Sequence, residues 1–113
     1  MESILNTLKK PLGVPIEMTN FDDELIMHIN SALMSVQQLG IGPITGFSIS
    51  SSEDIWEDLL GDRLDLEGVK TYLYLKVRLV FDPPQNSFLV EAIKSQITEL
   101  ESRLNTQAEG GPI

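Results

Sequence analysis

Residues Leu64 to Pro84 read LDLEGVKTYLYLKVRLVFDPP, and the rest of the chain is organised around this run. Its apolar members, Leu66, Val69, Tyr72, Leu73, Leu75, Val77, Leu79, Val80 and Phe81, go almost all the way round a helical wheel. No single packing partner covers such a surface, so the run predicts a helix in the middle of the molecule. Val69, Tyr72, Leu73, Val77, Val80 and Phe81 are its expected core residues. Two proline rings then forbid continuation, because each lacks an N–H and holds the residue before it extended. The helix should therefore end near Asp82, with Pro83 and Pro84 forming the break.

Beyond the break, Asn86 or Ser87 caps a last helix in which Leu89 or Val90, then Ile93, Ile97, Leu100 and Leu104, follow steps of three and four. That seam is narrow, as in coiled coils, and the other faces carry Glu91, Lys94, Gln96, Glu99, Glu101 and Arg103. Residues 108–113, with Gly110, Gly111 and Pro112, read as a loose tail to a single helical domain of residues 1–107. On the other side of the central run, Ser50 and Glu53 form a capping-box pair. Ile55, Trp56, Leu59 and Leu60 then give one face of a two-turn helix closed by Gly61, and Asp62 or Asp65 is placed to cap the central helix.

Residues 40–52 read GIGPITGFSISSS, a loop with room for one short strand where Phe47 and Ile49 alternate with serines. Such a loop lies on the surface or has its backbone groups satisfied by a neighbouring subunit. Before it, Thr19 and Asp22 resemble a capping box, and Asp22, Asp23 and Glu24 suit the positive end of a helix. Leu25, Ile29, Ala32, Leu33, Val36 and Leu39 supply that helix's apolar face, Met27 and Met34 lie on a flank, and Gly40 stops it. Ile4, Leu5, Leu8 and Leu12 mark a first amphipathic helix over residues 2–12, ended by Gly13, Val14 and Pro15. The expected fold is all-α, a small bundle of about five helices.

A chain of 113 residues with 42% hydrophobic content can bury a real core without disulfides, and it has no cysteine. The N-terminus lacks the order of a signal peptide, and no apolar run approaches the roughly 20 residues that cross a bilayer. The protein thus reads as soluble and unsecreted. Seventeen acids against eight bases give a net charge of −9, which repels phosphate backbones and anionic lipid. Sequence-reading DNA binding is disfavoured, and so is a membrane partner.

The acid clusters at Asp22 to Glu24 and Glu53 to Asp58 lack calcium-loop spacing, and helix capping explains each. His28, the one histidine, has Glu24 four residues earlier for an exposed ion pair. The serines near Ser50 lack a nucleophile elbow, and Gly40 to Pro43 lacks the lysine of a phosphate loop. Trp56 and Phe47 are either core residues or interface anchors, with core favoured for Trp56. No catalytic, metal or cofactor-binding residue is assigned, and no enzyme or cofactor is expected.

The ordered features do match a pattern. Ile4-Leu5-x-x-Leu8-Lys9-Lys10 is followed by Phe21-Asp22-x-Glu24-Leu25-Ile26-x-His28-Ile29-Asn30-Ser31. Next come Gln38-Leu39-Gly40-x-Gly42-Pro43 and Gly46-Phe47-Ser48-Ile49, then Val69-Lys70-Thr71-Tyr72-x-Tyr74-Leu75-Lys76-Val77-Arg78-Leu79 with Phe81-Asp82-Pro83-Pro84. Over about residues 2–107 the chain resembles the head–tail connector proteins, also called adaptor or head-completion proteins, of tailed phages and prophages of Gram-positive bacteria.

The resemblance implies a structural virion protein, made in the bacterial cytoplasm, that assembles as a ring under the portal. The ring would match the twelve-fold portal, extend the DNA channel without binding DNA specifically, and offer a platform to a tail-side stopper or head-closure protein. Ile41, Ile44, Phe47 and Ile49 are the expected subunit contacts, and Ile4, Leu8, Asn105, Gln107 and Ile113 the expected portal contacts. The competing reading is an acidic DNA mimic that occupies a basic host protein.

Overall fold

The computed structural model describes residues 2–63 and 67–110, which form α1 (Ile4–Leu12), α2 (Asp22–Gln38), α3 (Trp56–Leu60), α4 (Gly68–Phe81) and α5 (Ser87–Gly110). Leu66, the possible cap Asp65 and the tail residue Ile113 lie outside the described residues. The bundle is all-α, as the periodicity indicates. No strand forms among the described residues; the 40–52 loop stays irregular, and a lone antiparallel bridge joins Ser3 to Ile55 instead.

α4 is the central helix, packed by α2, α5 and α1. Val69, Tyr72, Leu73 and Val77 are fully buried, while Phe81 is half-buried against the core. The Phe21 and Phe81 rings meet edge to face at 5.5 Å, which sets the start of α2 beside the end of α4. Gly68 backs onto Leu100 and Leu104, so α4 and α5 run antiparallel. Asn105 Nδ2 donates to the Leu39 carbonyl and ties the end of α2 to the last turns of α5.

Val80 departs from the expected core, since it is 59% exposed. The face of α4 that buries Leu73 loses its cover two turns later, where Val80 opens onto a groove beside α2. Pro83 is exposed and Pro84 half-buried, so the pair acts through the backbone and not through packing. Asp82 is the C-cap of α4, as the prolines require.

Helix ends follow local chemistry at several points. Ser3 Oγ accepts from the Asn6 N–H to start α1, and Gly13, with φ 78°, ends it. Asn86 Oδ1 accepts from the N–H groups of Phe88 and Leu89 at the start of α5, so Asn86 and not Ser87 is the cap. Val90, half-buried, continues the Ile93, Ile97, Leu104 seam, whereas Leu89 faces out. α5 is helical through Gly110, and Ala108 packs on the core, so the helix runs past the expected boundary at residue 107.

Two predicted capping boxes are absent, and so is a predicted cap of α4. Asp22 N–H reaches only the Thr19 carbonyl, and the Asp22 carboxylate turns instead to Lys9. At the 50–54 turn Asp54 Oδ2 accepts from the Ser50 and Ser51 N–H groups, which displaces the Ser50–Glu53 box and leaves α3 only five residues long. Glu67 sits at the N-cap of α4 without a side-chain bond, so Asp62 does not cap it.

The end of α2 is a complete Schellman motif. Ile41 N–H donates to the Val36 carbonyl and Gly40 N–H to Gln37, with Ile41 and Val36 both buried. Gly40 has φ 91°, and an added methyl would meet only Ala108 Cβ at an ordinary 3.6 Å. Gly40→Ala is therefore expected to cost about 1–2 kcal/mol through backbone strain alone, read as a lowered urea midpoint with unchanged slope.

Candidate assembly surface

The chemistry that the acid clusters suggested does not assemble. Asp22 is engaged by Lys9, and among the described residues no group of three His, Cys, Asp or Glu side chains is close enough to hold a metal ion. His28 Nε2 lies 3.5 Å from Glu24 Oε2, the pair expected from the spacing. Trp56 is a core residue, with its indole N–H on Thr7 Oγ1 and the Lys70 ammonium 5.5 Å from the ring centroid.

Lys70 borders a cleft of about 300 Å³ lined by Glu2, Glu57, Asp62 and Glu67 among others. Burial alone would lower its pKa, but hydrogen bonds and charge from Glu2 and Glu67 outweigh that and leave it above the ordinary lysine value. This lysine is thus engaged with the chain's own carboxylates. The same pattern recurs on α5, where Lys94 pairs with Glu91 and Arg103 with Glu99.

Tyr72 is buried, and its hydroxyl donates to Glu101 Oε2 at 2.8 Å, joining α4 to α5. Burial and the neighbouring carboxylate both push the phenol's pKa up. A raised folded pKa means that this contribution is full below the unfolded value of about 10 and is lost as pH climbs through the folded value. Above about pH 10 the protein should lose stability more steeply than Tyr72→Phe does, a difference that urea titrations across pH measure.

The 40–52 loop is held by its own protomer. Ile49 N–H donates to Asn30 Oδ1 at 2.7 Å, and Asn30 Nδ2 donates back to the Ile49 carbonyl at 2.9 Å. Of the four expected subunit contacts, Ile41 and Ile49 are buried in the chain's own core and Phe47 is half-buried against it. Ile44 alone stands clear, 97% exposed at the loop tip.

The expected portal contacts scatter in the same way. Ile4 and Leu8 belong to the core, where the inward face of α1 must lie. Asn105 and Gln107 are half-buried on α5, and the Gln107 carbonyl accepts from Arg63.

Sequence reading missed the exposed start of α5, where Phe88 is 83% and Leu89 51% exposed, while Met27 and Met34 stand out from α2 on the flank where the spacing placed them. A signal existed: Phe88, Leu89 and Val90 are three consecutive apolar residues, and a narrow seam can take only one. Between α2 and α4 lies an open groove of about 220 Å³ lined by His28, Ser31, Ala32, Lys76, Leu79 and Val80. Large exposed apolar groups beside an open groove mark surfaces that meet other proteins.

Among the described residues no helix is long and apolar enough to cross a membrane. In comparison with known families, the family model for the phage connector protein matches residues 4–111. No curated protein and no solved structure matches the chain.

Proposed function

The chain belongs to the phage connector protein family, and from this premise we propose that it works as a ring seated under the portal. Its head–tail connector role makes it a virion component that meets other head and tail proteins. The finer reading is that the ring extends the DNA channel, matches the portal's symmetry and gives a tail-side stopper or head-closure protein its platform. The single observation that carries this is the family match across residues 4–111, almost the whole chain.

Three physical features support it. An exposed Ile44 at a well-anchored loop tip, with Phe47 behind it, suits contact with a neighbouring subunit. Asn105 and Gln107, on the last turns of α5, are the remaining portal-contact candidates on the surface. Ile113 belongs with them by sequence position alone. The net charge of −9 repels duplex phosphates, so a wall built of such subunits lets DNA pass without holding it.

Light scattering with and without the cognate portal ring tests the proposal. Closed rings alone, or stoichiometric rings on the portal, are the expected result. A persistent monomer that ignores the portal overturns it and leaves the acidic DNA mimic, which would bind a basic protein with strong salt dependence.

A further inference from the structure

We propose that the groove between α2 and α4 receives the first turns of α5 from a second copy of the chain. This rests on the connector reading and assigns the two unlike surfaces that a closing head-to-tail contact requires.

The donor surface is one helix face. Phe88, Glu91, Ala92 and Ser95 recur at steps of three and four, all are exposed, and they border an open surface of their own. Nothing in the protomer covers Phe88, although it is the most exposed aromatic residue of the described chain. The receiving surface has matching periodicity: His28, Ser31 and Ala32 come from α2, and Lys76, Leu79 and Val80 from α4. Met27 and Met34 flank Ser31 on the solvent side of α2 and add adaptable apolar surface at the groove's edge.

Charge selects the occupant. In an acidic chain, Lys9, Lys70, Lys94 and Arg103 are each paired with the chain's own carboxylates. Among the described residues Lys10, Lys76 and Arg78 have no such partner, and of these Lys76 borders the groove, its ammonium 5.9 Å from the Tyr72 ring centroid. The groove therefore offers an uncompensated cation beside apolar walls. The α5 face offers apolar groups around Glu91, whose exposed pair with Lys94, 3.6 Å apart, is weak enough to rearrange. Seating one on the other covers Phe88 and Val80 together and brings Glu91 to Lys76.

The absence of native cysteine allows a direct test. Ser31→Cys and Ala92→Cys variants, both at exposed positions, are mixed on the cognate portal ring and oxidised. Disulfide-linked pairs joining the two variants, and ladders from the double variant, are the expected result. Lys76→Glu and Glu91→Lys should each weaken assembly about ten-fold, and the double exchange should return it to within about three-fold. Recovery by the exchange is not something a merely folding-related role would produce.

Rings that form on the portal without the cross-link, and that tolerate Lys76→Glu, overturn this contact and leave the connector reading intact. Cross-linking of Ala92→Cys to a portal cysteine scan, instead of to Ser31→Cys, overturns it in favour of the portal as occupant. Failure of the unmodified chain to assemble on the portal removes both readings together.

Discussion

Replacing Lys9 by alanine is expected to destabilise the protein by about 3–5 kcal/mol, the cost of breaking a buried ion pair from one side. Lys9 is 1% exposed, the one buried charged residue among those described. Its ammonium sits 2.6 Å from Asp22 Oδ1 and donates to the carbonyls of Ile16 and Met18. One side chain therefore satisfies two carbonyls and neutralises a carboxylate whose buried Oδ1 has no hydrogen-bond donor of its own, and it fixes the connection between α1 and α2. Its removal leaves Asp22 without a cation and two carbonyls without their donor, and the alanine fills little of the space.

Domains of this size have about 5–15 kcal/mol in total, so the variant should melt more than 10 °C lower, on the order of 4 °C for each kcal/mol. Thermal unfolding followed by circular dichroism measures it. Lys9→Met separates the causes: it restores volume but not charge, so if the ion pair dominates it recovers little. A melting temperature within a few degrees of the parent for Lys9→Ala would show that water replaces the ammonium cheaply.

Asn30→Ala comes next, at about 2–4 kcal/mol. The Asn30 amide is the partner of both backbone groups of Ile49, one bond in each direction. Truncation strands a buried N–H and a buried carbonyl together, and it undoes the seat of Ile49 in the core. Loss should be local as well as global. Amide exchange at Ile49 and its neighbours should accelerate before that of α4, since the loop would open in a sub-global step. Uniform acceleration across the chain would instead mean that the loop and the bundle form one cooperative unit.

These two residues mark where sequence reading reaches its limit. The helices were legible because their causes are local: apolar spacing along α4 and α5, glycine at the ends of α1 and α2, Asn86 ahead of α5, and prolines after Asp82. The central place of α4 followed from its all-round apolar surface. Lys9 was not legible, because a lysine in the last turn of an amphipathic helix reads as a solvated cation, and only the return of the chain at Asp22 encloses it.

Thr19 and Ser50 carried the right residue types for caps, yet the carboxylates at Asp22 and Asp54 made other bonds that only the tertiary structure provides. The assembly surface divided along the same line. Ile41 and Ile49 lie in a loop and are apolar, features that core and interface share, and the Asn30 clamp and the Schellman turn put both inside. Val80 failed in the opposite sense, since its wheel position repeats that of buried Leu73 and only the missing cover exposes it. Family membership, in contrast, was legible in the order of short motifs along nearly the whole chain.

The clamp on the loop also governs how other chains can attach there. A glycine- and serine-rich segment with free main-chain donors invites an incoming strand to pair along it. Here the Ile49 N–H and carbonyl are occupied by Asn30, and the next two N–H groups are held by Asp54. Three successive donors are withdrawn before any other chain arrives. Main-chain zippering therefore finds no free donor across Ile49 to Ser51, and a chain that meets this stretch must recognise side chains. Recognition of that kind depends on shape, and it gives strand stacking no ladder to start from across these three residues.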